Sequence, residues 1–239
     1  MSDVISLKNH PKIIIALDYF DQKHAMELLK CLNPKFYKLK IGSIMFIKFG
    51  IKLIHEIHKL GFDIFLDLKF HDIPNTVAQS VRAAADLGVW MISIHACGGL
   101  NMLKKARQVL SDFKYPNPPL LMAVTVLTSF SEYNLKKIGV SLSLTNYVLN
   151  LAKMAKKSNL DGVICPGIEV NNIKNVFGNN FKTVVPGIRL FNYVHHDQKL
   201  VVTLKEIKNI NSDYIILGRC ITQSQNAIKT LNTFFNDIK

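Results

Sequence analysis

Eight times along the chain a short run of β-branched and apolar residues gives way to a longer stretch with the spacing of an amphipathic helix. That alternation limits the fold more than any other feature. The runs are Ile13–Asp18, Phe36–Ile41, Ile64–Leu68, Trp90–His95, Leu120–Val126, Gly162–Cys165, Thr183–Val185 and Tyr214–Leu217. Strands separated by helices pair in parallel, and eight βα units in 239 residues favour closure into a (β/α)8 TIM barrel of the α/β class, with an open doubly wound sheet as the alternative. No linker or low-complexity stretch interrupts the series, so residues 1–239 read as a single barrel domain with residues 1–11 as a short N-terminal extension. In the second helix, Ile44, Ile47, Ile51 and Ile54 are expected on the core-facing side, with Lys48, Lys52 and Glu56 elsewhere.

Composition narrows the class of partner. With 49% hydrophobic and 20% charged residues the chain can bury a sizeable core, which excludes a disordered or fibrous protein. Residues 1–12 lack the apolar centre of a signal peptide, and runs such as Leu120–Leu127 are too short to span a bilayer, so a soluble, cytoplasmic protein with no membrane partner is expected. Cys31, Cys97, Cys165 and Cys220 are scattered singly, which argues against a disulfide framework or a Cys-ligated zinc site. The net charge of +13 suits attraction either to nucleic acid or to a phosphorylated small molecule. Lys153, Lys156, Lys157 and their like are spread over helices without a basic tail or aromatic platform, so no nucleic-acid partner is expected.

In such barrels the chemistry lies at the C-terminal ends of the strands. Here Asp18 ends the first strand, Lys40 stands near the end of the second, and the third runs into Asp67-Leu68-Lys69-Phe70-His71-Asp72. Asp67 and Lys69 are two apart, so both side chains point to the same face. Any one of these charges alone would usually be a surface ion pair, but their grouping on successive strand ends favours a site. Lys38 shares the parity of Lys40 and lies two residues deeper, and parity alone leaves both open. Val185-Pro186-Gly187-Ile188-Arg189 follows the seventh strand and Leu217-Gly218-Arg219 the eighth, where barrels often bind phosphate through backbone amides and a guanidinium. Thr128 and Ser129 are placed to bond a substrate or to cap the next helix. His55 and His58 miss the zinc-helix spacing, His195 and His196 read as loop residues, and no dinucleotide or Walker-type loop is present, so neither metal nor cofactor is expected.

The segment Phe65-Leu66-Asp67-Leu68-Lys69-Phe70-His71-Asp72-Ile73-Pro74-Asn75-Thr76 resembles the signature of bacterial orotidine 5'-phosphate decarboxylases. Ile15-Ala16-Leu17-Asp18, Lys38-Leu39-Lys40-Ile41-Gly42, Val126-Leu127-Thr128-Ser129, Pro186-Gly187-Ile188-Arg189, Asp197-Gln198 and Gly218-Arg219 match in order, so the resemblance covers all but about the first ten residues. It implies cofactor-independent conversion of orotidine 5'-phosphate to uridine 5'-phosphate, the last step of UMP biosynthesis, in a homodimer with shared active sites. By that resemblance Lys69 protonates the ring carbon that loses carboxylate, within an alternating network of Lys40, Asp67, Lys69 and Asp72. Asp72, Ile73 and Thr76 would come from the neighbouring subunit. Asp18 and Lys40 would hold ribose hydroxyls, Thr128 and Ser129 would face the pyrimidine, and Arg189, Gln198, Gly218 and Arg219 would surround the phosphate.

Four positions depart from the family pattern: Leu190 and Cys220 stand where prolines are usual, and Asn192 and His196 where glycines are. Residues 190–196 would form the lid over the phosphate, and losing glycines there is expected to slow its closure. Two other readings compete: a metal-dependent sugar-phosphate relative that shares the Asp-x-Lys-x-x-Asp spacing, and a non-catalytic basic protein that binds nucleic acid. The Ile73-Pro74-Asn75-Thr76 continuation favours the orotidylate enzyme over the first, and the ordered strand-end motifs weigh against the second.

Overall fold

The structure is a computed structural model of the 239-residue chain and describes residues 12–19, 21–112, 115–189 and 200–238. Eight parallel strands close into a barrel: β1 (Lys12–Ala16), β2 (Tyr37–Gly42), β3 (Ile64–Phe70), β4 (Met91–His95), β5 (Leu120–Val124), β6 (Gly162–Ile164), β7 (Lys182–Val185) and β8 (Tyr214–Leu217). Each strand pairs with its sequence neighbours, and β8 returns to β1 through Lys12↔Tyr214 to Ile15↔Leu217. The chain is thus a TIM barrel, and every strand expected from the sequence ends within two residues of its observed bounds. Closure leaves no barrel edge to be capped.

Helices α1 (Gln22–Lys30), α2 (Ser43–Lys59), α3 (Pro74–Asp86), α4 (Gly99–Asp112), α5 (Glu132–Lys137), α6 (Leu144–Lys157), α7 (Val170–Phe177), α8 (Leu204–Ile207), α9 (Arg219–Thr222) and α10 (Ala227–Ile238) lie between or after the strands. Local chemistry sets several of their starts. Asp21 caps α1 through Lys23 N–H at 2.9 Å, Ser143 caps α6 through Asn146 N–H at 3.3 Å, and Pro74 occupies the first turn of α3, where no amide is needed. Among the described residues no helix is long and apolar enough to cross a membrane.

Strand alternation sorts the core into two bodies. Ile14, Ala16, Phe65, Met91, Met122, Val124, Ile164, Val184, Tyr214 and Ile216 fill the barrel, while the opposite faces of the same strands meet the helices. The inner filling is apolar through the middle of the barrel, and charged side chains stand at its two ends, Lys38 at the N-terminal floor and the larger group at the C-terminal mouth.

One helix departs from expectation. In α2 the residues turned inward are Met45, Leu53, Ile54 and Ile57, whereas Ile44, Ile47 and Ile51 are 46%, 83% and 49% exposed. Before Gly50 it is Met45 that turns inward, while Ile44 lines the mouth cavity; at Gly50 the backbone (φ 60°, ψ −153°) is non-helical, so that phase does not carry through, and beyond it only Ile54 of the expected stripe reaches the core.

Candidate active site

Lys40 and Asp67 are the inward-facing residues near the ends of β2 and β3, and the register Ala16↔Lys40 and Gly42↔Asp67 places them at adjacent levels beside Asp18, just beyond β1. Both are nearly buried, Lys40 9% and Asp67 6% exposed. Lys40 Nζ lies 3.2 Å from Asp18 Oδ1 and 3.5 Å from Asp67 Oδ2, and Lys69 Nζ donates to Asp67 Oδ2 at 2.8 Å. The result is a row of alternating charge, Asp18–Lys40–Asp67–Lys69, along one side of the mouth. A Cβ at Gly42 would stand 3.3 Å from Lys40 Nζ, so a residue without a side chain there leaves the ammonium its place.

Lys69 reaches this row through an irregularity in the sheet. Leu66 pairs with Ile92 but Phe70 pairs with Ile94, so Asp67, Leu68 and Lys69 together face Ser93 alone. Lys69 takes up the extra length with a left-handed backbone (φ 51°), which costs a residue with a side chain about 1 to 2 kcal/mol. The side chain parity expected from the sequence is kept, and the bulge turns Lys69 over the cavity.

The two buried members, Asp67 and Lys40, favour their ionised forms. Burial works against the Asp67 carboxylate, but Lys40 and Lys69, with hydrogen bonds from Lys69 and Ser93, hold its pKa below the usual carboxylate value. Burial likewise works against the Lys40 ammonium, and the carboxylates of Asp67 and then Asp18 more than offset it, so its pKa is raised. Such a network is costly to open: removing one partner of a buried pair costs about 3 to 5 kcal/mol. His95, at the end of β4, carries no such support. Burial, followed by His71 and Lys69, lowers its pKa, with Asp67 opposing, and its ring lies 5.6 Å from that of His71.

Above the row is a cavity of about 580 Å³. Asp18, Lys40, Asp67, Lys69, Thr128, Ser129, Arg189, Gly218 and Arg219 line it, nine of the residues the sequence singled out. Arg189 follows Gly187, whose φ of +81° favours glycine at the turn, and Ile188–Arg189 pairs with Val202–Thr203 in a small parallel ribbon beside the mouth. Gly218 leads into α9 with Ile221 and Thr222 amides bonded to its carbonyl. Thr128 and Ser129 do not cap α5: Ser131 does, in a capping box with Asn134.

Other expected residues lie elsewhere. Asp72, Ile73 and Thr76 are exposed in the turn after β3 and the start of α3 and do not line the cavity of their own chain. The Asp72 carboxylate accepts the Ile73 amide at 2.6 Å. Gln198, the lid positions Leu190, Asn192 and His196, and His195 fall outside the described residues. Cys220 is partly buried behind Arg219, and burial pushes its thiol up to about 11, so it stays protonated at neutral pH. Lys38 does not compete with Lys40: it pairs with Asp63 and lies over the Trp90 ring at 4.5 Å, at the opposite, N-terminal end of the barrel. The sequence reading missed Ser93, His95 and Gln223. The first two share the inward parity of Met91 on β4, and Gln223 stands one turn beyond Arg219, so parity and helical spacing carried the signal.

Fold and site together define a TIM-barrel protein whose mouth sets a buried lysine–aspartate row on the first three strands beside two arginines that follow the last two. The sequence model of the "Orotidine 5'-phosphate decarboxylase / HUMPS family" matches residues 11–234, and the chain belongs to that family. It is 51% identical over 231 residues to the orotidine 5'-phosphate decarboxylase of Buchnera aphidicola subsp. Schizaphis graminum, covering 97% of each chain. It is 49% identical to that of Pseudoalteromonas translucida, covering 92% of this chain and 94% of the relative. The crystal structure of orotidine 5'-phosphate decarboxylase from Lactobacillus acidophilus superimposes with a TM-score of 0.82 at 35% identity, over 96% of this chain and 99% of the other.

Proposed function

We propose a division of labour for the reaction this chain carries out as a member of its family, the decarboxylation of orotidine 5'-phosphate to uridine 5'-phosphate in pyrimidine biosynthesis. The observation that carries the scheme is the Lys69 ammonium held 2.8 Å from a buried Asp67 carboxylate at the cavity wall. In the step itself the bond from the ring carbon to the carboxylate breaks, carbon dioxide leaves, and the electron pair stays on the ring carbon. That pair lies in the ring plane, where the π-system delocalises it poorly, so a fixed positive charge must stabilise it. Lys69 supplies the charge and then the proton, and is reprotonated from solvent. Asp67 orients Lys69, and Lys40 keeps Asp67 ionised; Lys40 and Asp18 also hold the ribose hydroxyls. The scheme needs no metal and no cofactor.

Thr128 and Ser129 face the pyrimidine, and Arg189, Gly218 and Arg219, with Gln198, take the phosphate. The net charge of +13 supports capture of an anionic substrate. Asp72, Ile73 and Thr76, exposed and outside their own cavity, complete the site of a second copy, giving a homodimer with shared sites. The chain works as a single barrel domain in the cytoplasm, without nucleic-acid or membrane partners.

The test is the loss of the substrate's ultraviolet absorbance on incubation with the purified chain, with and without chelator. Chelator-insensitive conversion that disappears in Lys69→Ala supports the scheme, and conversion that the chelator blocks overturns its metal-free step. For the shared site, mixing inactive Lys69→Ala and Asp72→Ala dimers should restore activity, because each heterodimer contains one intact site. No recovery after verified subunit exchange would refute sharing.

A further inference from the structure

We infer that Ser93, on β4, is a positioning residue for the decarboxylation, its hydroxyl tying the Lys69 backbone and the Asp67 carboxylate to one buried point so that the proton donor is held in place. The inference rests on the role given above to Lys69.

Ser93 is 0% exposed and follows Met91 on the inward face of β4, next to the apolar filling of the barrel. A hydroxyl is tolerated in such a place only when its hydrogen-bonding capacity is used. Here Oγ donates to Asp67 Oδ1 at 2.8 Å and accepts from the Lys69 amide at 2.9 Å. With the Lys69 Nζ to Asp67 Oδ2 bond of 2.8 Å, these contacts close a ring that runs from the Lys69 amide through Ser93 and Asp67 back to the Lys69 ammonium.

The bulge explains why this ring is needed. Three residues of β3 face one of β4, so the regular ladder offers the Lys69 N–H no acceptor and the Ser93 hydroxyl oxygen accepts from it instead. Lys69 is also the residue whose φ of 51° lies in the left-handed region. Without the hydroxyl, that amide is orphaned and the backbone relaxes toward negative φ, carrying Nζ away from its aim. Ser93 does not line the cavity, so its loss should act on turnover and not on substrate binding.

The test is steady-state kinetics on orotidine 5'-phosphate with Ser93→Ala, Ser93→Cys and Ser93→Thr, together with hydrogen exchange at the Lys69 amide. Alanine and cysteine should lower kcat by about 100-fold, the scale of a small misplacement of a reacting group, with KM unchanged. The acid limb of kcat should move to higher pH, because Asp67 loses a donor, and Lys69 amide exchange should quicken. Threonine, which keeps the hydroxyl, should recover most of the turnover if its melting temperature matches the parent's. Unchanged kcat in Ser93→Ala overturns the inference, as does a KM that rises in step with the fall in kcat. A parent chain that is folded but inert on orotidine 5'-phosphate would defeat the functional reading instead. The exchange measurement then decides the holding role of Ser93 independently: faster exchange supports it and unchanged exchange overturns it.

Discussion

Lys38 and Lys40 are two residues apart on β2 and point to the same side of the strand, yet they belong to opposite ends of the barrel. Lys40 meets Asp18 and Asp67 at the mouth, where its side chain and that of Asp67 are 11% and 6% exposed. Lys38 meets Asp63 at the floor, where the corresponding exposures are 21% and 55%, and rests on Trp90, itself packed edge-on against Tyr214 at 5.2 Å. At the floor water screens the pair and the aromatic ring completes the packing. At the mouth each charge depends on the next, so the energy of the arrangement is available to fix the geometry of Lys69.

The comparison breaks most visibly in activity. Lys69→Ala should lower kcat/KM by roughly 10²- to 10⁴-fold, the contribution of a positioned general acid, while circular dichroism stays that of the parent. Activity near the parent's would remove Lys69 from the mechanism.

The next largest effect is on stability. Lys40→Met should cost about 3 to 5 kcal/mol in urea unfolding, since Asp67 loses one of its two cations, whereas Lys38→Met should cost about 1 kcal/mol or less and leave turnover as it was. Equal costs at the two ends would erase the distinction between them.

A pH series sharpens the same contrast. The Asp67 pKa is lowered on folding, so its contribution is complete above the usual value of 3.8 and is lost as pH falls through the lower folded value. For Lys40 the pKa is raised, so its contribution is complete below the usual 10.5 and is lost as pH rises through the folded value. Between these limits His95 contributes, together with His58, whose pKa burial also lowers. The His95 pKa is lowered, so the folded state resists a proton that the unfolded chain accepts, and stability should decline as pH falls below the usual 6.5. Melting temperatures from pH 5 to 8 should therefore slope less in His95→Gln than in the parent; identical slopes would remove His95 from the account.

The smallest expected change is optical. Trp90 is the chain's sole tryptophan, so Lys38→Met should alter its emission, while uridine 5'-phosphate bound at the mouth should leave it nearly unchanged. A large response to the nucleotide would mean that floor and mouth are coupled.

Much of this architecture was legible before any coordinates. Strand parity was enough to place Asp67 and Lys69 on the inner face, and the order of the motifs put Arg189 and Arg219 after the last two barrel strands. Parity could not separate Lys38 from Lys40, because which end of the barrel a side chain leaves by depends on strand register. It also passed over Ser93, whose importance arises only from three residues of β3 standing opposite it. The isoleucines of α2 show the opposite error: one stripe was drawn through the whole helix, although Met45 takes the core face before Gly50 and the backbone leaves the helix there.

By itself, then, the sequence determined the βα repeat, the inward faces of the strands and the residue types at their ends, because these follow from local periodicity and from turn and cap chemistry. Tertiary structure decided the rest: closure brought β8 against β1, register set Lys40 among carboxylates, and the bulge gave Lys69 its left-handed turn against Ser93. Those outcomes depend on how strands distant in the chain align, and no local pattern encodes that alignment.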